Sequence, residues 1–190
     1  MIEKIIENFL ETQRKQGIIS DETMPIYRYG YTLVMEVCIN FMLALLLGLV
    51  MREIGLVLIF HLIFIPLRLF CGGWHAGKSS TCTLVSLFVL TVSVIVGKFE
   101  LIQYGSYLWI VVMICALLVI IHYAPLDSTA KRLSSSEIKH YRAIIWMILL
   151  VEIVGFIGLF IFKEYRYAGM ISSVFDIQAC SLLASAIRNK

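Results

Sequence analysis

Residues 31–51 read YTLVMEVCINFMLALLLGLVM, and this stretch decides the class of the fold. Glu36 is its only charged residue, and most of the other side chains are apolar. A helix of about 20 such residues crosses the hydrocarbon layer, where every backbone polar group must be hydrogen-bonded within the protein. The sequence therefore predicts a membrane-spanning helix over these residues.

Five further apolar stretches follow and differ in strength. They are residues 54–67, extended to about 70, and residues 84–97, 107–123, 143–162 and 170–187. Pro66 and Arg68 predict an irregular end for the first of these, while Asp176, Gln178 and several serines make the last the most polar. We predict an all-α integral membrane protein with about six membrane-embedded helices, four or five strongly apolar and the sixth weaker, in a single membrane domain over residues 1–190.

The composition agrees with this class of protein. Hydrophobic residues make up 60% of the 190 residues and charged residues 15%, against about 45–50% and 25% in soluble domains. The formal charge of +3, with no long basic run, argues against a nucleic-acid partner. Five cysteines, mostly in apolar surroundings, do not suggest a secreted disulfide framework. The expected partner is the lipid bilayer, and we expect no cofactor.

The distribution of the basic residues predicts the orientation of the helices. Six crossings put both termini on one side, and that side carries 12 of the 16 basic residues, whereas the other carries Arg52, Lys98, Lys163 and Arg166. Cytoplasmic loops of membrane proteins carry an excess of Lys and Arg. We therefore expect a multi-pass membrane protein with both termini, the 68–82 segment and a basic 124–142 loop in the cytoplasm.

Residues 1–20 precede the first span and predict an amphipathic helix. Apolar residues recur at helical spacing between charged ones, and Gly17 marks the expected end of the helix. Such a helix lies either on the cytoplasmic membrane surface or against the ends of the spans. The pattern alone leaves both interpretations open.

The 68–82 segment, which reads RLFCGGWHAGKSSTC, concentrates reactive groups in an otherwise apolar chain. The glycine pair Gly72 and Gly73 permits backbone conformations closed to other residues. On one straight helix, His75 and Cys82 would be separated by about 10 Å of rise, beyond hydrogen-bond reach. We therefore expect the helix to break within this segment.

A break would let His75 fold back towards Cys82. Ser79 or Ser80 is a candidate N-cap, which would put Cys82 in the first turn of the following helix, whose positive end favours a thiolate. His75 would then be the general base for a Cys82 nucleophile, the minimum apparatus of acyl transfer. The alternative is that both side chains only contribute to packing.

Four charged residues complete the candidate set. Lys78 or Arg68 would supply positive charge beside the nucleophile. Glu36 and Glu152 lie inside proposed spans, where acids face a bundle interior or a water-filled cavity, so each is a candidate to line a substrate cavity or to pair with another helix.

A metal site and a homodimer are weaker interpretations of other residues. Zinc binding by Cys71, His75 and Cys82 would not follow a common zinc spacing, so we expect no metal. Gly155 and Gly158 permit close helix approach and allow a homodimer, although they lack the GxxxG spacing.

The 68–82 segment resembles the motif of the accessory gene regulator B (AgrB) family, membrane peptidases of Gram-positive quorum sensing. The matching residues are Arg68, Gly72, Gly73, Trp74, His75, Ala76, Lys78, Ser79, Ser80 and Cys82. A second match is the loop Tyr123-Ala124-Pro125-Leu126-Asp127, which leads into a basic stretch. Chain length and the order of apolar segments are also similar.

The resemblance implies a location in the bacterial cell membrane and a function in processing a precursor peptide. Family members cleave the C-terminal tail from a short precursor peptide and hold the remainder as a thioester, which an internal cysteine or serine of the peptide converts into a cyclic thiolactone or lactone. By position, Cys82 would be the nucleophile and His75 the base, with Arg68 and Gly73 as supporting residues.

Two other classes of function compete with this thiol protease hypothesis. A small membrane transporter or peptide exporter would use Glu36 and Glu152 and would not need Cys82. A membrane scaffold would have no chemistry at all.

Overall fold

The computed structural model describes residues 2–20, 22–74, 79–104, 106–126 and 134–188. Seven α-helices account for most of them, with no strand in these ranges. The helices are α1 (Ile2–Lys15), α2 (Met24–Met51), α3 (Ile54–Cys71), α4 (Ser79–Lys98), α5 (Ser106–Tyr123), α6 (Ser135–Ile161) and α7 (Tyr165–Arg188), with a short 3-10 helix at Leu101–Gln103. Five of them, α2, α3, α4, α6 and α7, are long and apolar enough to cross a membrane, and α5 is a shorter apolar helix. The predicted all-α membrane protein is confirmed.

The contacts divide the chain into two compact units, residues 1–46 and 47–190. In the first unit, α1 ends where the sequence predicts. Gly17 has a φ of +73°, and the N–H groups of Gly17 and Ile18 donate to the carbonyls of Arg14 and Gln13. This is the Schellman pattern, which glycine favours because a left-handed residue must follow the last turn.

The apolar face of α1 packs on the first part of α2. Ile6 and Leu10 are buried together with Ile19, against Tyr31 and Met35. The Tyr31 hydroxyl also donates to Gln13 Oε1 at 2.9 Å. Of the two interpretations that the sequence leaves open, the structure supports a helix packed against a span.

Helix α7 is the central helix of the second unit, because it packs against α3, α4, α5 and α6. Met170, Val174 and Leu182 are fully buried on it, and so are the polar residues Ser172 and Gln178. The sequence predicts the weakest span here, but the polar side chains face other helices rather than lipid. Small residues suit this position since they allow close helix packing.

The glycines at one end of this unit show how close that packing is. A Cβ on Gly97 of α4 would lie 3.0 Å from the carbonyl oxygen of Arg166, and one on Gly169 would lie 3.3 Å from Val96. Glycine is therefore required for α4 and α7 to approach as they do.

At the same end, polar side chains of α4 and α7 contact the connection between α2 and α3. Arg166 pairs with the buried Glu53, and Lys98 Nζ donates to the Met51 carbonyl at 2.8 Å. Lys98 and Arg166, two of the four basic residues that the sequence assigns to the side away from the termini, thus bond to the α2–α3 connection at this end of the unit. The 68–82 segment begins at the opposite end.

The predicted irregular end of α3 is wrong. The helix continues through Pro66 to Cys71 and stops only at Gly72. A proline inside an apolar helix costs one backbone hydrogen bond, which packing by neighbouring helices tolerates.

Candidate active site

Two glycines turn the chain at the end of α3. Gly72 has a φ of +72° and Gly73 a φ of +136°, both in the region that L side chains avoid. The Gly72 N–H still donates to the Arg68 carbonyl at 3.1 Å, and no helix is formed at residues 72–74. The predicted break after α3 is therefore confirmed, and it begins at Gly72.

Arg68 holds the turned segment from the last part of α3. Its Nη1 donates to the Gly72 carbonyl at 2.9 Å and to Ser181 Oγ at 2.5 Å, and its Nη2 donates to the Trp74 carbonyl. A Cβ on Gly73 would lie only 1.9 Å from Nη1 and 2.6 Å from Ser181 Oγ. Gly73 is thus the residue that leaves room for the guanidinium.

Helix α7 supplies the other partners of the turn. Gln178 Nε2 donates to the Gly72 carbonyl at 2.8 Å, and the Trp74 N–H donates to both the carbonyl and the hydroxyl of Ser181 at 3.1 Å. Sequence reasoning missed these two residues because it treated them only as polar interruptions of a span. The available signal was their spacing of three, which puts two polar side chains on one face of an apolar helix.

The second sequence motif meets the first at this corner. The Leu126 N–H donates to the Cys71 carbonyl at 3.0 Å, and Ala124 is buried. A Cβ on Gly72 would lie 2.9 Å from the Leu126 carbonyl oxygen. Two stretches more than 50 residues apart thus form one structural corner.

Cys82 is the fourth residue of α4 and is half-buried. Cys71, the last residue of α3, is buried. The structure therefore brings together Arg68 and the glycine pair, and it places Cys82 in the helix that follows the segment.

Helix α4 begins at Ser79. The N-cap at Ser79 or Ser80 stays a prediction. The residues that precede them, 75–78, include His75 and Lys78 and lie outside the described residues. The pairing of His75 with Cys82 accordingly stays a prediction.

The two acids of the predicted spans belong to different units. Glu36 lies in the first unit and is half-buried. Glu152 lies in the second, on the inward face of α6 beside Leu149 and Phe156, and only 9% of it is exposed. Its Oε2 atom is buried and has no hydrogen-bond partner among the described residues.

A shallow groove of about 790 Å³ lies between α5 and α6. It is lined by Leu118, Ile121, His122, Arg142 and Trp146. The groove combines an apolar wall with a cation and a histidine. No group of three or more metal-binding side chains occurs in the part of the chain that the structure describes.

Comparisons with known proteins agree with these features. A family model described as accessory gene regulator B matches residues 2–182. A provisionally named AgrB-like protein of Halalkalibacterium halodurans is 29% identical over 126 residues, which cover 66% of this chain and 61% of that protein. A second such protein, from Clostridium perfringens, is 26% identical over 150 residues, which cover 73% of this chain and 67% of that protein.

The match to the first relative thus spans less than two thirds of that protein's length. No solved structure matches the chain. The family model, however, covers nearly all of this chain, including Cys82 and the turn at Gly72 and Gly73, here called the glycine corner. The helices are those of a multi-pass membrane protein. This chain therefore belongs to the accessory gene regulator B family, which acts in quorum sensing.

Proposed function

We propose that this protein is a membrane cysteine endopeptidase that removes the C-terminal tail of a short quorum-sensing precursor peptide and promotes cyclisation of the remainder. The observation that carries the proposal is the corner in which Arg68 donates to the Gly72 and Trp74 carbonyls and to Ser181, in the segment that also contains Cys82. The thiolate is the nucleophilic form of a cysteine, and His75 is the proposed base that would produce it. Membership of the family supports the same role.

The first transfer uses His75 and Cys82 of the 68–82 segment. His75 accepts the proton of Cys82, and the sulfur attacks the carbonyl carbon of the bond to be cut. The C–N bond then breaks, the proton passes to the leaving amine, and the tail departs. The rest of the peptide stays on Cys82 as a thioester.

A second transfer releases the product. An internal thiol or hydroxyl of the peptide loses its proton to His75 and attacks the thioester, so that the new ring bond forms as the bond to Cys82 breaks. Because a thioester retains the activation of the acyl group, this step needs no nucleotide, provided that water is kept from the intermediate. A half-buried cysteine among apolar helices suits that requirement.

The groove between α5 and α6 is a candidate surface for the peptide. Its walls are largely apolar, and Arg142 places a positive charge on it. A peptide with an apolar segment and an acidic tail would match both properties.

The proposed orientation puts both termini and the 68–82 segment in the cytoplasm. The distribution of 12 of the 16 basic residues supports it. Tags at either terminus should then be accessible only from the cytoplasmic side.

The test is coexpression of the full chain with a tagged precursor peptide. Cys82→Ala and His75→Ala should each abolish loss of the tail, whereas Cys115→Ala, at an exposed cysteine of α5, should leave cleavage unchanged. Cys82→Ser should be much slower, because serine does not form an anion easily. Normal cleavage by the Cys82→Ala chain would refute the assignment.

A transporter is the second candidate function, and the buried, unpartnered Glu152 favours it. An acid inside a membrane helix commonly marks an ion or substrate pathway. Translocation of peptide that is lost in Glu152→Gln but retained in Cys82→Ala would favour this alternative over the peptidase.

A further inference from the structure

We propose that Gln178 and Ser181, here called the α7 anchor, are positioning residues for the cleavage reaction. They hold residues 72–74 and thereby set the place of His75 and Arg68 relative to Cys82. The inference rests on the proposed peptidase function.

The α7 anchor contacts the segment on both sides of Gly73. Gln178 Nε2 donates to the Gly72 carbonyl at 2.8 Å, and Ser181 accepts the Trp74 N–H at 3.1 Å through both its carbonyl and its hydroxyl. Gln178 is fully buried. The segment is therefore joined to the most buried helix of the second unit rather than to a surface loop.

Ser181 also joins the segment to the cation. Its hydroxyl accepts from Arg68 Nη1 at 2.5 Å, while the same guanidinium donates to the carbonyls of Gly72 and Trp74. A change at Ser181 consequently reaches both the backbone of Trp74 and the guanidinium of Arg68.

Little else in residues 72–74 is able to fix their position. The segment has no helical hydrogen bonds beyond the Gly72 N–H, and two of its three residues have no side chain to pack. Backbone polar groups in such a turn need partners from elsewhere, and α7 and Arg68 provide them.

The position of this segment matters for the reaction because Trp74 is bonded directly to His75. A displacement of about 1 Å of a reacting group lowers the rate by about 100-fold. Loss of an anchoring hydrogen bond should therefore lower the rate of the chemical step more than it changes peptide binding.

The first measurement is cleavage of the precursor peptide by the full chain in membranes. Ser181→Ala should lower kcat by about 10- to 100-fold with little change in KM, and Ser181→Thr should restore most of the rate since it keeps the hydroxyl. Gln178→Leu should act in the same direction. Ser172→Ala is the matched control, because Ser172 is a buried serine of the same helix whose hydroxyl has no hydrogen-bond partner among the described residues.

The second measurement does not depend on catalysis. In a chain with Trp109→Phe and Trp146→Phe, Trp74 is the only tryptophan, and its quenching by acrylamide reports on the segment. Ser181→Ala should increase the quenching, and Ser172→Ala should not.

The outcomes separate this inference from the proposed function. Unchanged Trp74 quenching in Ser181→Ala refutes the contact, whatever the activity. Changed quenching with wild-type cleavage overturns the role in positioning. Normal cleavage by Cys82→Ala refutes the peptidase function instead, and with it the role of the α7 anchor in that reaction. The quenching of Trp74 then still decides whether the contact exists.

Discussion

Substitution of Gly73 by alanine tests the geometry of the glycine corner most directly. The added Cβ would lie 1.9 Å from Arg68 Nη1 and 2.6 Å from Ser181 Oγ. The backbone at this residue also has a φ of +136°, which alanine rarely adopts. Either Arg68 leaves its place or the turn changes its conformation.

The magnitude follows from the interactions that would be lost. An unfavourable backbone conformation costs about 1–3 kcal/mol. Displacement of Nη1 removes its bonds to the Gly72 carbonyl and Ser181 Oγ, and hydrogen bonds of a charged group contribute about 1.5–3 kcal/mol each. The low ends of these ranges together come to about 4 kcal/mol. If all of this free energy destabilises the reactive arrangement of the site, the rate of cleavage falls by about a thousandfold.

The assay combines cleavage of the tagged peptide with thermal unfolding of the purified chain in detergent. Gly73→Ala should lose nearly all cleavage and unfold at a lower temperature. Gly158→Ala is the control, since its Cβ would meet no atom within 4 Å and alanine favours the helix by up to about 1 kcal/mol. Wild-type cleavage and stability in Gly73→Ala would refute the reasoning.

Three further predictions concern single residues of the second unit. Arg68→Lys should lower the rate of cleavage at least about tenfold, because an ammonium does not reproduce the planar fork that reaches Gly72 and Trp74. Equal rates of cleavage by the Arg68→Lys and wild-type chains would contradict this. Glu152→Gln should not lower the thermal midpoint, since the buried Oε2 has no partner to lose, and a drop of several degrees would show that the carboxylate is bonded. Lys163→Gly should stabilise the chain by about 1 kcal/mol, because Lys163 has a φ of +62°, whereas Glu164→Gly should not.

The helices were predictable because each apolar stretch is a local property of the sequence. The structure extends most of the predicted spans by several residues, and Gly17 and Gly72 end α1 and α3 because a left-handed residue follows each last turn. Pro66 misled the prediction, since packing around α3 lets the helix continue.

The candidate site was only partly predictable. Local chemistry singled out Arg68, the glycine pair and Cys82, and the structure places Arg68 and Gly73 in one corner. Gln178 and Ser181 are more than 100 residues away along the chain, so no pattern in the 68–82 segment points to them.

Sequence alone determined that this is a helical membrane protein, and it predicts that the chemistry belongs to the 68–82 segment. Lipid selects apolar stretches by their composition, and glycines permit turns wherever they occur, so both properties can be recognised one segment at a time. The tertiary structure decided that α7, the most polar of the predicted spans, is the central helix of the second unit and that it holds the glycine corner. Hydrogen bonds between distant segments depend on which helix faces meet, and only the packed helices determine that.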